Sequence, residues 1–423
     1  MTMEWTRDQE EAIDTFGRWW KTRASDNLIF RLFGWAGTGK TTIARHLAEG
    51  TAGNGTIFAA YTGKAAHVLR KKGCLTARTI HSLIYKPLEK SRERLRMMQE
   101  ELDSLLSELR AELQAEGSDP KNADLHHLVI KARQEIEAEQ LGLKRPSFSI
   151  NLDSDLRRAK LLVLDECSMV DEEIAKDLLS FEVPILALGD PGQLPPVRGT
   201  GFFVNAEPDH FLREVTRTAK DNPIIRMSMD VREGRELELG DHDGSQVIEI
   251  SEGYPELYTE HEQILVGREN RPKSGTDTVW RANINRRVRT LLGRKSIYPE
   301  VGDRLVCLRN DRETGLLNGQ ILRTISAEEV DGMVAMEVEK EDGSREAITA
   351  HSCIFRGEEP KFWEIRDHQC LDFGYAMTVH KAQGSEWPKV LLFDQSRIFR
   401  QDWKRWLYTG ITRASESVTV VRC

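Results

Sequence analysis

The chain lacks the features that mark membrane-spanning and secreted proteins. None of its apolar runs approaches the ~20 residues that a membrane-spanning helix needs. The first 11 residues are polar and charged and contain no apolar core of a signal peptide, so we expect a cytoplasmic protein. Cysteine is scarce, with six residues and no C-x-x-C pair. This scatter argues against a zinc site and against a disulfide framework.

The chain also lacks the basic excess that often accompanies nucleic-acid binding. It carries 60 Lys and Arg against 68 Asp and Glu, a formal net charge of -8. Global charge does not exclude such binding, because a long acidic segment can mask a locally basic groove. The 39% hydrophobic and 30% charged residues instead describe a globular protein, long enough at 423 residues for two or three domains.

The stretch around residues 34–41 carries the strongest motif. It reads G-x-x-x-x-G-K-T, the phosphate-binding loop pattern, between an apolar run and a helix-favouring segment. The glycines let backbone N–H groups curl round a polyphosphate, and the helix N-terminus adds its dipole. The pattern predicts an ATP site in which Lys40 reaches the β- and γ-phosphates and Thr41 ligates Mg²⁺. The predicted ATP-binding residues of the loop are Gly37, Thr38, Gly39, Lys40, Thr41 and Thr42.

Two acidic residues follow an apolar strand further along the chain. Residues 161–164 are all apolar and are followed by Asp165 and Glu166. A buried parallel strand delivers such acids to the edge of the sheet where the phosphate loop lies. We expect Asp165 to hold magnesium and Glu166 to orient and deprotonate the attacking water. Gln193, in a proline-bounded turn after the next strand, is the candidate γ-phosphate sensor, although such turns often only reverse the chain.

Residues 86–155 interrupt this α/β pattern with dense charge. Leucine and methionine recur at three- and four-residue steps from Leu95 to Leu109, a turn signal lies at 117–120, and helical spacing resumes through Leu125, Leu128, Ala132 and Ile136. The pattern predicts an antiparallel helical hairpin. It is either a solvated insertion that packs along its own seam or a protruding arm that touches the substrate or a protein partner.

The remainder of the chain predicts a second α/β unit with an inserted β-region. Residues 213–232 are basic and helical in pattern, and apolar strand runs lie at 247–250 and 263–266. Between residues 298 and 350, three short alternating runs are separated by Asn-Gly and Asp-Gly turns, which is typical of a small β-barrel. The α/β pattern then returns up to the closing strand at 418–421.

In this order, the motifs resemble those of superfamily 1 helicases, most closely the 5′-to-3′ branch typified by RecD and phage Dda. The resemblance runs from Gln9 to Arg413. It implies two RecA-like domains, each a parallel sheet flanked by helices, with ATP between them and an SH3-like β-barrel inserted in the second. The expected boundaries are 1–85 with 156–205 for the first domain, 86–155 for its helical insertion, 206–297 with 351–423 for the second domain, and 298–350 for the barrel.

The resemblance also assigns roles to individual residues. Gln9 is similar to the adenine-reading glutamine of the family, and Glu386 to a glutamate near the ribose. Arg217 and Arg413 resemble the two arginines that the second domain supplies to the γ-phosphate. A planar guanidinium suits the charge of a transferring phosphoryl group. Eight residues lie in motifs that line single-stranded DNA in this family, namely Thr62, Lys64, Thr79, His81, Ser82, Thr378, His380 and Lys381.

The resemblance implies an ATP-driven, magnesium-dependent helicase that moves 5′ to 3′ on single-stranded DNA and acts at junctions with duplex DNA, in a bacterium or a phage-infected cell. One departure concerns strand separation. Relatives carry a short β-hairpin pin where this chain carries the helical insertion, and only residues 147–151 could form a remnant of it. The insertion is therefore a wedge, a partner arm or a clamp. A nucleotide-switched scaffold and an RNA-tracking motor remain as alternatives.

Overall fold

The computed structural model describes most of the chain. It covers residues 4–23, 27–87, 93–115, 117, 119–144, 148–195, 201–216, 219, 221–252, 254–270, 278–309, 311, 314–358 and 368–423. Two compact units are distinguished, one comprising Met1–Ile84 with Leu152–Cys423 and the other Tyr85–Asn151. Within the described residues, no helix combines the length and the apolar character required to cross a lipid bilayer.

The first sheet of the larger unit is parallel throughout, with strand order β3-β2-β6-β7-β1-β8. Its strands are β1 (Ile29–Gly34), β2 (Thr56–Ala60), β3 (Arg78–Thr79), β6 (Leu161–Asp165), β7 (Ile185–Gly189) and β8 (His210–Leu212). The associated helices are α1 (Arg7–Thr22), α2 (Lys40–Thr51), α3 (Gly63–Lys71), α4 (Ile80–Ile84) and α7 (Glu172–Leu179). Strands β6 and β7 are almost wholly buried, as expected of strands covered on both faces.

The second sheet has the order β17-β11-β18-β19-β10-β9 and is parallel except for the edge strand β9. Its strands are β9 (Gly240–His242), β10 (Ser245–Glu249), β11 (Gln263–Val266), β17 (Ala376–Thr378), β18 (Trp387–Asp394) and β19 (Ala414–Arg422). The associated helices are α8 (Pro223–Glu233), α9 (Arg281–Leu291) and α10 (Trp403–Ile411). The two parallel sheets confirm the predicted pair of α/β units.

The basic segment before α8 is less helical than its pattern predicts. A continuous helix over residues 213–232 is wrong, because α8 begins only at Pro223. Proline has no N–H group to donate and suits the first helical position, and the Asn222 side chain caps the helix by accepting from the Ile224 N–H at 2.8 Å. Residues 213–216 are irregular and lie against the phosphate loop, where the Thr216 N–H donates to the Gly37 carbonyl at 3.0 Å.

The inserted β-region forms an antiparallel sheet with the order β15-β14-β13-β12-β16. Its strands are β12 (Arg304–Cys307), β13 (Ile321–Val330), β14 (Met333–Glu339), β15 (Arg345–His351) and β16 (Leu371–Phe373). The Asp331-Gly332 turn between β13 and β14 has positive φ at both residues, as a tight hairpin turn requires. The three predicted strands are confirmed. The sheet also includes β16, which lies beyond residue 350, and its SH3-like class stays a prediction.

The smaller unit, which we call the arm, is a helical hairpin on a short β-ribbon. Strands β4 (Tyr85–Pro87) and β5 (Phe148–Ile150) pair antiparallel, and helices α5 (Glu93–Ala115) and α6 (His127–Lys144) pack on each other. A 3₁₀ turn at Pro120–Leu125 joins the helices. The predicted hairpin is therefore confirmed.

The apolar seam of the arm differs from its prediction on the second helix. Leu106 and Val129 are buried, whereas Leu128, which was expected in the seam, is 45% exposed. The difference arises because the 3₁₀ turn delays the start of α6 to His127, which changes the residues that face α5.

Candidate functional site

The phosphate loop has the local geometry that its sequence predicts. Strand β1 ends at Gly34 and α2 begins at Lys40. Gly37 and Gly39 have φ values of +78° and +80°, which side chains rarely allow. A Cβ atom at Gly39 would also lie 2.7 Å from the Gln9 amide nitrogen. Glycine is thus required here both by the backbone conformation and by the space available.

Lys40 folds back on the loop from which it projects. Its ammonium group donates to the carbonyl oxygens of Gly34 at 2.7 Å and Trp35 at 2.9 Å, and lies 3.8 Å from Asp190 Oδ2. A phosphate could replace these partners, because an ammonium group is a compact cation with three rotatable donors.

The two predicted catalytic acids lie at the end of β6. The Glu166 N–H donates to Asp165 Oδ1 at 3.0 Å, and Glu166 itself has a φ of +51°, which is uncommon for a residue other than glycine. Burial and the neighbouring Glu166 carboxylate raise the pKa of Asp165 to about 6. The Gln193 amide donates to Glu166 Oε1 at 3.5 Å, whereas Gln193 Oε1 is buried and meets no hydrogen-bond donor within the described residues.

The second domain completes this site from the other side. Arg413 is 6% exposed, and its guanidinium donates to the carbonyls of Thr409 at 3.1 Å and Ser385 at 3.2 Å. A cavity of about 180 Å³ separates it from the phosphate loop. The predicted site residues that line this cavity are Lys40, Thr41, Asp165, Glu166, Gln193, Glu386 and Arg413. Residues that are distant in sequence are therefore brought together, and we call this cavity the cleft.

Three predicted ATP-site residues either have contacts that the prediction did not include or lie outside the described part of the chain. Arg217 is outside the described residues. Gln9 is buried beside the loop, but its amide is engaged, because its oxygen accepts from the Thr6 N–H and its nitrogen donates to the Thr38 carbonyl, each at 3.0 Å. Glu386 lies 3.8 Å from Lys72, a cleft residue that the sequence reasoning did not single out.

Sequence reasoning also missed a buried group that joins the two sides of the cleft. Tyr408 of α10 donates its hydroxyl hydrogen to Asp190 Oδ2 at 2.6 Å and accepts from the Ala36 N–H of the phosphate loop at 2.8 Å. Nearby, the Leu194 N–H donates to Thr409 Oγ1 at 3.0 Å. Asp190 and Tyr408 lie close in sequence to the predicted Gln193 and Arg413, but no spacing in the sequence connects the two.

The predicted DNA-contacting residues of the first domain lie at the ends of β2 and β3. Thr62 caps α3 by accepting from the Ala65 N–H at 3.1 Å. Thr79 and Ser82 bond each other, since Thr79 Oγ1 accepts from the Ser82 N–H and the Ser82 hydroxyl donates to the Thr79 carbonyl. His81 lies beside the Tyr61 ring, with 5.9 Å between ring centroids, and burial lowers the pKa of its imidazole.

Lys64 has a setting of its own. Its side chain is 9% exposed and places its ammonium group 4.2 Å from the centroid of the Trp387 ring in the second domain. Glu341, in the turn between β14 and β15, lies 3.7 Å away. Desolvation lowers the pKa of Lys64 to about 8, although Glu341 partly opposes this effect. Lys64 is therefore covered by two elements that are remote in sequence.

The second domain places its three predicted DNA-contacting residues at the end of β17 and in the segment that follows it. Thr378 Oγ1 accepts from the Lys381 N–H at 3.4 Å, and the His380 ring packs 5.3 Å from that of Phe399. Burial lowers the pKa of both His380 and Lys381. The same segment reaches the first domain, because a Cβ atom at Gly384 would lie 3.2 Å from Thr62 Oγ1.

Comparisons with known families agree with this geometry. A family model described as an AAA domain matches residues 6–251, more than half of the chain. A second model, described as a UvrD-like helicase C-terminal domain, matches residues 373–421. The two matches cover the phosphate loop with the acids on one side, and Arg413 on the other.

Individual relatives are more distant. The chain is 26% identical over 277 residues to the ATP-dependent RecD2 DNA helicase of Deinococcus radiodurans, covering 60% of this chain and 35% of the relative. It is 27% identical over 214 residues to the ATP-dependent DNA helicase dda of Enterobacteria phage T4, covering 47% of this chain and 37% of the relative. The chain thus spans about a third of the length of the curated relatives it matches.

A crystal structure of Pif1 helicase from Candida albicans is similar to this chain at 18% identity and a TM-score of 0.47. The alignment covers 99% of this chain and 94% of the Pif1 chain. The family matches confirm the resemblance seen in the motifs. The chain belongs to the AAA-domain family matched over residues 6–251, and its matches to RecD2, to dda and to the UvrD-like C-terminal domain agree with the resemblance to superfamily 1 helicases.

Proposed function

We propose that the protein is an ATP-dependent helicase or translocase that moves 5′ to 3′ on single-stranded DNA and couples ATP hydrolysis to duplex unwinding. The observation that carries this proposal is the cleft, in which Lys40 and Glu166 of the first domain face Arg413 of the second. A site divided between two domains makes hydrolysis depend on their relative position, so that turnover can drive movement.

Each side chain has a defined task in the proposed reaction. Lys40 exchanges the loop carbonyls for the β- and γ-phosphates, and Glu166 accepts a proton from the attacking water. Gln193 contacts Glu166, and its buried oxygen has no hydrogen-bond partner among the described residues, which supports a role in holding that water or sensing the γ-phosphate. Arg413 stabilises charge that develops on the transferring phosphoryl group.

Magnesium fits the residues of the cleft. The Thr41 hydroxyl and the Asp165 carboxylate both line it and supply the oxygen ligands that this ion prefers. Within the described residues no group of three or more His, Cys, Asp or Glu side chains could hold a metal ion, so Mg²⁺ would be held jointly with the nucleotide phosphates. When bound, the ion neutralises charge on the β- and γ-phosphate oxygens.

DNA is the proposed track because polar and basic side chains follow strands in both domains. Thr62, Thr79 and Ser82 belong to the first domain, and Thr378 and Lys381 to the second. Hydroxyl groups, N–H groups and lysines of this kind contact sugar-phosphate backbones without reading sequence. The close approach of Gly384 to Thr62 supports one track that crosses the domain boundary.

The proposal is tested by ATP turnover with and without single-stranded DNA. We expect DNA to stimulate turnover, Lys40→Ala to abolish it, and Glu166→Gln to lower kcat by about 10²- to 10⁴-fold through loss of the base. Lys71→Ala, which removes an exposed lysine of α3, is the matched control and should behave as wild type. Turnover that ignored DNA would reject the proposed motor.

Polarity and track are tested on partial duplexes. A substrate with a 5′ overhang should be unwound, whereas one with a 3′ overhang should not. DNA and RNA oligonucleotides of one sequence, compared as activators of ATP turnover, distinguish the DNA track from an RNA track. Unwinding from the 3′ overhang alone would contradict the proposed direction.

The arm is proposed to act in strand separation or in partner binding. Its own core around Leu106 and Val129, and its paired strands β4 and β5, support a unit that keeps its shape. Replacing residues 93–144 by a short glycine-rich loop should leave DNA-stimulated ATP turnover intact. Loss of unwinding alone would identify a wedge, whereas retained unwinding would favour a partner arm.

A further inference from the structure

Beside the cleft, hydrogen bonds of the Tyr408 side chain and backbone connect the phosphate loop to Arg413. At one end, the Ala36 N–H donates to the Tyr408 hydroxyl, which donates to Asp190. At the other end, the Thr412 hydroxyl donates to the Tyr408 carbonyl at 2.9 Å, and Arg413 Nη2 donates to Thr412 Oγ1 at 3.3 Å. One residue therefore connects, through its side chain and its backbone, both sides of the cleft.

The partners of the Tyr408 hydroxyl leave it little freedom. Tyr408 is 1% exposed and packs in the core of the second domain. Asp190 is equally buried, and its second oxygen accepts from the Gly192 N–H at 2.9 Å. Burial raises the pKa of Tyr408 far above its usual range, so its hydroxyl stays protonated and remains a donor to the carboxylate.

Asp190 also connects these hydrogen bonds to Lys40. Its Oδ2 atom, which accepts from Tyr408, lies 3.8 Å from the Lys40 ammonium group. The carboxylate that Tyr408 holds is thus beside the lysine that is proposed to bind the β- and γ-phosphates. Any displacement of the loop that accompanies nucleotide binding would act on Ala36 and Asp190 together.

We propose that Tyr408 is a positioning residue that couples the phosphate loop to Arg413. It fixes α10 against the loop, so that the guanidinium five residues later is aligned with the γ-phosphate when Lys40 holds the nucleotide. Tyr408 does not touch the reacting atoms, and it acts through Arg413. This inference rests on the proposed ATP hydrolysis but not on the identity of the track.

The test is Tyr408→Phe, which keeps the packed ring and removes only the hydroxyl group. The matched control is Tyr375→Phe, because Tyr375 donates to Asp303 at 2.8 Å in another buried Tyr–Asp pair that does not line the cleft. We expect Tyr408→Phe to lower kcat for ATP about tenfold, the effect of one lost hydrogen bond to a charged group, while the Kd for a non-hydrolysable ATP analogue changes less than about threefold. Tyr375→Phe should lower Tm by about as much as Tyr408→Phe does, because each variant loses one buried hydrogen bond to a carboxylate. Tyr375→Phe should leave kcat within about twofold of wild type.

A double-mutant cycle with Arg413→Ala tests the route of the effect. In single-turnover measurements, Tyr408→Phe should slow hydrolysis no further once Arg413 is absent, because the two residues act as one unit. A full additional tenfold loss in the Arg413→Ala background would overturn the proposal, as would a kcat loss in Tyr408→Phe no larger than in Tyr375→Phe.

Failure of this inference and failure of the proposed function give different results. Each ratio of variant to wild-type turnover is measured both without nucleic acid and with single-stranded DNA. A wild type that hydrolyses ATP but ignores DNA would reject the DNA motor, and a kcat loss in Tyr408→Phe would still support the coupling. A DNA-stimulated wild type with an unaffected Tyr408→Phe variant would reject the coupling alone.

Discussion

The cleft and the predicted DNA-contacting segments differ in what holds their side chains. In the cleft, Lys40, Glu166 and Arg413 are oriented by hydrogen bonds with backbone atoms or a neighbouring side chain, and they line one cavity. In the DNA segments, Thr79 and Ser82 bond each other, and Lys64 is covered by Trp387 and Glu341. The cleft is thus built for a small ligand, whereas a DNA strand would need some of the second set to exchange partners.

Arg413 provides the largest expected effect and tests whether the cleft works as one site. Arg413→Ala should lower kcat for ATP by about 10³-fold, because the guanidinium stabilises the transferring phosphoryl group, while single-stranded DNA still binds. Arg405→Ala is the control, since Arg405 lies on the same helix, is exposed and contacts only Asp402 among described residues. Equal turnover in the two variants would show that Arg413 has no special role in the cleft.

Asp165 provides an effect on stability. Its pKa of about 6 in the folded protein lies above the ~3.9 of an unfolded chain, so its stabilising contribution is complete below about pH 4 and is lost as the pH rises through about 6. Without nucleotide or Mg²⁺, Asp165→Asn should therefore unfold at higher urea at pH 8, by a free energy of the order of 2 kcal/mol.

The pH dependence distinguishes this effect from a general one. The difference between Asp165→Asn and wild type should shrink as the pH falls from 6 to 4. Asp14→Asn, at an exposed position of α1, should show no difference at either pH. A stability gain of Asp165→Asn that persisted unchanged at pH 4 would contradict the explanation by the charge of Asp165.

Lys381 tests the DNA side of the comparison. Lys381→Ala should weaken single-stranded DNA binding about fivefold and reduce the slope of log K against log salt by about one, as expected for one lost phosphate contact. The KM for ATP should stay constant. Lys389→Ala, which removes an exposed lysine of β18, is the control. An unchanged salt slope would remove Lys381 from the proposed track.

The smallest expected effect concerns Lys64. Glu341→Gln should tighten binding of single-stranded DNA about threefold at low salt, since it frees the ammonium group from a half-exposed carboxylate. Glu337→Gln on β14 removes the same charge from a position that contacts Arg345 and is the matched control. Equal tightening in both variants would show a general charge effect and leave Lys64 without a part in the track.

Local sequence was sufficient to predict the first-domain residues of the cleft, because strand, glycine turn and helix are adjacent in the chain. Arg413 and Glu386 were named only from the family resemblance. Asp165 and Glu166 follow their strand directly, and Lys40 begins its helix. The hydrogen bond from the Tyr408 hydroxyl to Asp190 was not predictable in this way, since it joins residues that are 218 positions apart. The contact between Lys64 and Glu341 likewise joins residues that are distant in sequence.

The error at Leu128 has a similar origin on a smaller scale. The helical spacing was assigned through Leu128, whereas Val129 is the residue buried in the seam after the 3₁₀ turn at Pro120–Leu125. At α8 the prediction failed for a local reason, because the basic pattern over 213–232 was followed and Pro223, which marks the start of the helix, was not used.

The ribbon formed by Tyr85–Pro87 and Phe148–Ile150 affects how long a segment can be inserted between its two strands. Its antiparallel pairing brings the two ends of the intervening segment side by side. The entropy of closing a loop between ends that already meet grows only slowly with loop length. Segments of very different length can therefore be closed by this ribbon at similar entropic cost, which makes it a permissive position for insertions.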